Sequence, residues 1–285
     1  MQLSPRYTGP RLLVDHTTAP APTGAVMGQR RRLETMLAAL DVAQWTASSR
    51  CAGWLVRDVV AHLVTVNEYW AASARAARRG TPLQLLGGFD PAATPDALLA
   101  PLASQTPQQL LTRLVASHDA LETALTFDDP ATWDLPTETP IGHLALRSMA
   151  AHALWDSWIH ERDIAQPLGI AVPDEPTELL TALCYVAGLA AALVVLLDLA
   201  PSTALALETT EPSLALIVDI EHVDGLGTVT LRDVPAGERP CLRGTATRLL
   251  DALSLRAPLP DDAPSAWHER ITAMALALAA PSPSR

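Results

Sequence analysis

An uncharged stretch at residues 179–197 most constrains what this 285-residue chain can fold into. Its length is close to the roughly 20 residues that span a bilayer, so it must be buried in lipid or in a protein core. Glu178 and Asp198 bracket it, no Lys or Arg flanks it, and Thr, Gly and several Ala dilute its apolarity. We therefore expect a buried bundle helix over residues 176–200, and no association with a membrane.

Apolar residues recur at helical spacing in most of the chain before residue 200. In the second of these segments the apolar stripe runs from Val56 to Trp70, and Gly80 is a natural helix end. The other predicted helices in this part cover residues 27–40, 108–125 and 143–165. Residues 1–26 are rich in Pro and Thr and are predicted to be an extended arm, and residues 81–107 and 127–142 are predicted to be loops.

The pattern changes after Pro201. Residues 214–221 and 228–234 alternate as strands do, and Asp224-Gly225 between them is a turn signal. A third strand is predicted at residues 240–243, and helices are predicted at 245–255 and 266–280. The predicted fold class is therefore α+β, with a helical bundle over residues 27–200 and a small α+β domain over 201–285.

Charge and cysteine content narrow the possible partners. The net charge is −11, and neither arginine run is interleaved with aromatic residues, so we expect no nucleic-acid partner. Cys51, Cys184 and Cys241 are far apart and form no Cys-x-x-Cys pair, which fits a reducing cytoplasm better than a disulfide framework. No signal peptide is apparent in the first thirty residues. An apolar bundle with only 18% charged residues is compatible with a homodimer.

One face of a predicted helix carries candidate metal-binding side chains. His152, Asp156 and His160 are four residues apart and therefore share one helical face. His62 lies alone on another, otherwise apolar helix. Asp156 and His160 could bind one metal without backbone distortion, and His62 could supply the third ligand. Three protein ligands would leave positions open for water or substrate, as in catalytic sites.

The residue pattern is compatible with more than one role at each position. Zinc is the default ion for two histidines and a carboxylate, although Fe, Mn, Co and Ni also use such sites. An Asp-x-x-x-His pair can equally be a polar surface edge, and His62 can be a core histidine. His152 could be a fourth ligand, a partner that orients Asp156, a proton shuttle near pH 7, or a buried side chain bonded to the backbone.

Two segments, WLVRDVVAHL and WDSWIHERDI, carry the candidate ligands and the nearby Asp163. They resemble the Trp-x-x-x-Asp-x-x-x-His-Leu element and the later Glu-x-x-x-His element of the mycothiol-dependent maleylpyruvate isomerase family, a branch of the DinB-like helical metalloenzymes. The resemblance implies a DinB-like up-down four-helix bundle with His62, Asp156 and His160 as metal ligands. Asp156 departs from the usual Glu and is one methylene shorter, which would change how its carboxylate meets the metal.

A third segment extends the resemblance towards the C-terminus. CLRGTATRLLDALSLR is similar to the family's Gly-x-Ala-x-x-Leu-x-x-x-Leu-x-x-Arg element, with Leu255 in place of the usual Gly. This match implies a sterol-carrier-like C-terminal domain. It also implies that Arg256 is a catalytic residue that holds the thiol cofactor or a substrate carboxylate. Altogether the resemblance covers residues 27 to about 280.

The resemblance implies a metal-dependent enzyme that uses mycothiol on a small electrophilic substrate, by S-transfer or by thiol-assisted isomerisation. None of the cysteines falls within the site motifs, so the nucleophile is expected to be external. His152 is a further catalytic candidate. A maleylpyruvate-type isomerase proper would need a second anion-binding residue, for which Arg57 and Arg147 are candidates. The same residues are also compatible with a non-catalytic metal- or ligand-binding protein and with a metal-dependent hydrolase.

Overall fold

The computed structural model describes residues 3–88, 90, 93–199 and 204–278 and has helices where the apolar spacing is helical. The helices before residue 170 are α1 (Thr23–Ala38), α2 (Val42–Trp45), α3 (Val56–Arg78), α4 (Ala93–Leu99), α5 (Pro107–Leu125) and α6 (Leu146–Ala165). Four of them form a bundle, because α1 and α3 each contact both α5 and α6. The bundle buries Val56, Val59, Val60 and Leu63 of the α3 stripe. The segment predicted as a long loop contains the short helix α4.

Of the two helices that carry the candidate ligands, α3 has a side-chain hydrogen bond at its start and α6 has none. At the start of α3 the backbone N–H of Leu55 donates to the Asp58 carboxylate over 2.9 Å, which satisfies one of the otherwise unbonded amides of the first turn. α6 begins at Leu146, three residues later than predicted. The intervening residues belong to a hairpin of β2 (Pro136–Thr139) and β3 (Gly142–Ala145), so the predicted loop over 127–142 was wrong at its end.

The uncharged stretch forms α7 (Pro176–Leu196), which lies in the core as predicted. It is long and apolar enough to cross a membrane, but 78% of its most apolar window is buried inside the protein. On one side α7 packs against α6, and on the other against strands and helices of the C-terminal part. The helix ends at Leu196 and residues 197–199 are not helical, so the predicted helix over 176–200 was too long at its C-terminal end.

The C-terminal part is a mixed sheet covered by helices, which confirms the predicted α+β class. Its elements are β4 (Leu205–Thr210), β5 (Ser213–Val223), β6 (Leu226–Arg232), β7 (Cys241–Gly244), α8 (Ala246–Leu253) and α9 (Ser265–Leu278). β4 was not predicted. The ends of β5, β6 and β7 lie within three residues of the predicted ends. The last two residues of the predicted final helix, 279 and 280, lie outside the described range. The division into domains at residue 200 stays a prediction.

The N-terminal arm joins this sheet. Residues Leu13–Asp15 form β1, which pairs in parallel with β6, so the sheet order is β1-β6-β5-β4-β7. Leu12 and Leu13 are buried in the same core as α7. The arm is therefore a structural part of the C-terminal layer, although it precedes the bundle in the chain.

Gly142 is where the arm meets the β2–β3 hairpin. Its φ is +116°, and a Cβ added there would lie 2.1 Å from the Arg6 backbone oxygen. Arg6 also donates its amide to Ile141, and His143 donates its amide to Arg6. No side chain fits between these backbones, so this position requires glycine.

We expect Gly142→Ala to lower the free energy of unfolding by about 2–4 kcal/mol, because it combines backbone strain with a backbone clash. The measurement is equilibrium denaturation. Gly169→Ala is the matched control, since Gly169 also has a positive φ of +68° but nothing within 4 Å of its Cβ position. The control should lose only about 1–2 kcal/mol. Equal losses in the two variants would contradict the close approach at Gly142.

Candidate metal centre

The packing of α3 against α6 brings three predicted ligands together. His62 comes from α3, and Asp156 and His160 come from one face of α6. The Nε2 atoms of His62 and of His160 each lie 3.6 Å from Oδ1 of Asp156. All three candidate ligand atoms lie within 4.8 Å of one another. The side chains are only 9–16% exposed, so the cluster is largely shielded from solvent.

This spacing fits a coordination polyhedron. With metal–ligand bonds of about 2.0–2.2 Å, the edge of a tetrahedron is about 3.4 Å, close to the observed separations. Oδ2 of Asp156 is buried and has no hydrogen-bond partner among the described residues. A buried carboxylate oxygen without a donor is costly, and a cation at the centre of the three side chains would compensate it. The residues present therefore fit a divalent metal, whose assignment stays a prediction.

The charge state of Asp156 suits this arrangement. Burial alone would raise the pKa of its carboxyl. The imidazoles of His62 and His160 outweigh burial and hold that pKa well below its ordinary value. Asp156 is therefore an anion at neutral pH, as an oxygen ligand must be.

Asp163 orients His160 from the other side of its ring. Its Oδ2 lies 3.1 Å from Nδ1 of His160, which leaves Nε2 facing Asp156. Burial would lower the pKa of His160, but hydrogen bonds to Asp163 and Cys51 and the charge of Asp156 raise it to about 10. The structure therefore makes Asp163 the carboxylate behind a candidate ligand.

Arg256 also reaches this carboxylate, from the segment after α8. Its Nε and Nη2 donate to the two oxygens of Asp163 over 2.9 and 2.8 Å, a bidentate pair. Arg256 is therefore linked to His160 through one buried side chain. The two other arginines considered as anion sites are engaged elsewhere: Arg57 donates to the carbonyls of Ala103 and Gln105, and Arg147 donates to those of Ala19 and Pro20.

Two neighbours of the site were missed by sequence reasoning. Cys51 was expected to lie outside the site, yet its Sγ lies 3.6 Å from Nδ1 of His160 and 3.2 Å from Oδ2 of Asp163. Nε of Arg50 lies 3.6 Å from Oδ1 of Asp163. Both residues lie in the turn before α3, where no periodicity marks them. The only local signal is Ser49, whose Oγ accepts from the Cys51 amide and donates to the Trp54 carbonyl.

Aromatic rings line the rest of the site. The ring of Trp54 lies 5.4 Å from that of His62 and 6.4 Å from that of His160, measured between centroids. His152 lies one turn before Asp156, with its Nδ1 2.6 Å from the hydroxyl oxygen of Tyr185. Burial, the largest effect on it, lowers the pKa of His152 to about 4. His152 has no direct contact with the ligand atoms of the cluster among the hydrogen bonds and ion pairs of the described residues.

The buried Asp163 carboxylate should stabilise the fold. Burial alone would raise its pKa, but hydrogen bonds from His160 and Arg256 hold it well below the ordinary value of 3.8. Asp163→Asn leaves Arg256 without its anion and should cost about 2–3 kcal/mol, less than for a fully buried pair because Arg256 is 26% exposed. Equilibrium denaturation at pH 7 measures this loss. Glu122→Gln, which breaks the exposed pair with Arg31, is the control and should cost under about 0.5 kcal/mol.

The difference in unfolding free energy between the wild type and Asp163→Asn should also depend on pH. A carboxyl whose pKa is lowered by folding contributes its full stability above the unfolded pKa and loses that contribution as pH falls through and below it. The unfolding free energy of the wild type should therefore fall more steeply below about pH 4–5 than that of Asp163→Asn. Parallel curves for the two proteins would show that Asp163 is not held as an anion.

Comparisons with known proteins agree with this architecture. Residues 26–165 match the family described as mycothiol maleylpyruvate isomerase N-terminal domain. Comparison with curated protein sequences gave no significant match.

Two solved structures share the fold. One is a mycothiol-dependent maleylpyruvate isomerase, with 16% sequence identity and a TM-score of 0.55. The other is a histidine-to-alanine mutant of a mycothiol-dependent maleylpyruvate isomerase, with 15% identity and a TM-score of 0.56. Each alignment covers 83% of this chain and 90% of the solved chain, so the shared fold extends beyond the matched domain. The match at residues 26–165, which holds all three candidate ligands, places this part of the chain in the mycothiol maleylpyruvate isomerase N-terminal domain family.

Proposed function

We propose that the protein is a metal-dependent enzyme that uses a low-molecular-weight thiol, mycothiol, on a small electrophilic substrate. The reaction is S-transfer to that substrate or its thiol-assisted isomerisation. The observation that carries the proposal is the convergence of His62, Asp156 and His160 on one point, next to the ion pair of Asp163 with Arg256. Family membership and the likeness to a solved mycothiol-dependent isomerase support the choice of thiol.

The donor set defines what the centre can hold. Two imidazoles and one carboxylate suit zinc best, and Fe, Mn, Co and Ni are compatible with them. A divalent metal held by His62, Asp156 and His160 would lower the pKa of a coordinated thiol, so that the thiol reacts as thiolate at neutral pH. Asp156 stands where relatives usually carry Glu, so its shorter side chain would bring the metal closer to α6 or hold it through a different carboxylate mode.

The chain's own residues have separable tasks. Asp163 accepts the Nδ1–H of His160 and thereby keeps Nε2 directed at the centre. Arg256 is held in a fixed orientation by the same carboxylate, and four of the five N–H donors of its guanidinium are directed at Asp163, Cys51 and the Ser254 carbonyl. The fifth donor, on Nη1, can bind a carboxylate oxygen of the substrate or of the thiol.

An isomerase acting on a dicarboxylate is the second candidate, and one observation favours it. Such a substrate needs two cationic positions, and Arg50 lies beside Arg256 at the same carboxylate. The backbone oxygen of Arg256 accepts a hydrogen bond from Arg50, which keeps the two side chains close. A metal-binding protein without catalysis and a metal-dependent hydrolase are distinguished from both candidates by experiment.

We also infer a cytoplasmic location. All three cysteines are free thiols, which suits a reducing compartment. The one helix apolar enough to span a membrane, among the described residues, is mostly buried in the core. A homodimer stays a prediction.

The metal content of the purified protein is the first test. We expect about one divalent metal per chain by elemental analysis, and loss of that metal in His62→Ala and in Asp156→Ala, because each removes one of three ligands. His222→Ala is the matched control, since His222 is an exposed histidine on β5 and its loss should leave the metal content unchanged. A wild type that stays metal-free after reconstitution with zinc, iron and nickel would exclude the proposed centre.

The fate of the thiol separates the reaction classes. With mycothiol and a conjugated electrophile, S-transfer consumes one thiol for each product, whereas isomerisation needs thiol but consumes none. A hydrolase would form product without thiol, and a binding protein would form none. Chromatography of substrate, product and free thiol with the metal-loaded protein gives the answer.

We expect the planar guanidinium of Arg256 to bind the substrate or the thiol through hydrogen bonds. Arg256→Lys keeps the charge and should lower kcat/KM roughly 10- to 100-fold, because it loses charge-assisted hydrogen bonds worth about 1.5–3 kcal/mol. Steady-state kinetics measure this loss. Arg57→Lys is the control and should stay within about twofold of wild type, since Arg57 is bonded to loop carbonyls instead. Equal effects of the two substitutions would argue against a substrate contact by Arg256.

A further inference from the structure

His152 is enclosed by aromatic side chains from three helices. Its ring centroid lies 4.7 Å from that of Trp70 on α3, 5.5 Å from Trp155 on α6 and 5.0 Å from Tyr185 on α7. The shortest polar contact of the group joins the hydroxyl of Tyr185 to Nδ1 of His152, at 2.6 Å. This contact connects the long apolar helix to the stripe that carries Asp156.

The direction of that hydrogen bond can be assigned. Tyr185 is only 2% exposed, and burial raises the pKa of its hydroxyl far above the ordinary value, so it keeps its proton. Among the described residues the hydroxyl has no other hydrogen-bond acceptor, and a buried O–H without an acceptor would be costly. Tyr185 therefore donates and Nδ1 accepts. A neutral imidazole that accepts at Nδ1 must carry its hydrogen at Nε2.

His152 is neutral at physiological pH. Burial is the main cause that lowers its pKa to about 4, the nearby imidazole of His62 lowers it further, and the charge of Asp156 only partly opposes them. A histidine of this kind does not exchange a proton near pH 7. It can still donate a hydrogen bond from Nε2.

Nε2 of His152 remains available to a ligand. No hydrogen bond within the described part of the chain uses it, and it does not belong to the buried polar atoms left without a partner. The residue as a whole is half-buried, so its ring is not fully enclosed. On the same helical stripe one turn later, Oδ2 of Asp156 lacks a donor.

We propose that Tyr185 is a positioning residue that fixes His152 as the Nε2–H tautomer, so that His152 presents a permanent N–H donor beside the candidate metal centre. A fixed, neutral donor suits an oxygen acceptor, such as the carbonyl or carboxylate oxygen of an unsaturated substrate, on which negative charge develops. The aromatic walls around it suit a flat, conjugated molecule. The substrate class rests on the proposed function, whereas the tautomer does not.

The tautomer is measured directly in the wild type. The zinc-reconstituted protein is labelled with 15N-histidine, and long-range 1H–15N correlations distinguish the protonated ring nitrogen from the bare one. The signal of His152 among the eight histidines is the one that disappears in His152→Gln. A single Nε2–H form from pH 5.5 to 8 is expected. An Nδ1–H form, a mixture of tautomers, or a charged ring at pH 7 would overturn the proposal.

Tyr185→Phe tests the cause, with Tyr69→Phe as the matched control. Tyr69 is also a largely buried tyrosine of this region and packs against Trp70, but it makes no hydrogen bond to His152. We expect Tyr185→Phe to give a mixture of tautomers and Tyr69→Phe to keep the single Nε2–H form. Persistence of the single form in Tyr185→Phe would show that something other than Tyr185 fixes it. If Tyr185→Phe does not fold, the wild-type spectrum still decides the tautomer.

Turnover supplies a separate measurement. Tyr185→Phe should lower thiol-dependent kcat roughly tenfold with KM nearly unchanged, and His152→Gln should lower it roughly 100-fold. A normal kcat in both variants would overturn the positioning role even with the expected tautomer. A wild type without thiol-dependent turnover would instead refute the proposed function and leave the tautomer result standing.

Discussion

A buried guanidinium holds together the two helices that carry the candidate ligands. Arg30 of α1 is fully enclosed and donates through Nε and Nη2 to Oδ1 of Asn67 on α3, and also to the backbone oxygen of Ala153 on α6. Burial lowers the pKa of Arg30 to about 10, although the charges of Asp156 and Glu34 oppose this, so it is still a cation at neutral pH. Since α3 and α6 supply all three candidate ligands, the geometry of the centre depends on this contact. It also provides a positive charge that partly balances the buried carboxylate of Asp156.

The centre belongs to the bundle but is completed from outside it. Arg256 follows α8, yet its strongest contact is with Asp163 of α6. Next to it, the indole N–H of Trp155 donates to Ser254 over 2.8 Å. A shift of the C-terminal layer relative to the bundle would therefore change the environment of His160. The ion pairs of Arg32 with Glu161 and Glu178 oppose such a shift, because they link α1, α6 and α7.

Prediction from the sequence succeeded best where the arrangement of polar or apolar residues follows the geometry of a single helix. The spacing of Asp156 and His160 predicted one shared face, and the uncharged run predicted a buried helix, because both depend only on the geometry of a single helix. The residue pattern also offered His62 as a third ligand, and the family resemblance then supported that choice and added Arg256 as a functional residue. The structure brings the first three of these side chains together and puts Arg256 one buried carboxylate away.

The parts of the site and of the fold that depend on contacts between distant segments could not be predicted from the sequence. Cys51 meets His160 across 109 positions, from a turn without periodicity. His143 looked like a helix residue, but the close approach of Arg6 to Gly142 makes that segment a strand. The partner of His152 lies on a helix whose composition indicates only burial. In each case tertiary contacts, which no local pattern records, decided the outcome.

The parallel pairing of β1 with β6 has a consequence for the order of folding. Leu13 pairs with Val229, so more than two hundred residues separate the two halves of this contact. During synthesis the arm leaves the ribosome long before its partner strand exists, whereas the bundle helices can already pack locally. Closing so large a loop is entropically slow and gains little until the sheet is present. We therefore expect the pairing of β1 with β6, and with it the full burial of Leu12 and Leu13, to be a late step in folding.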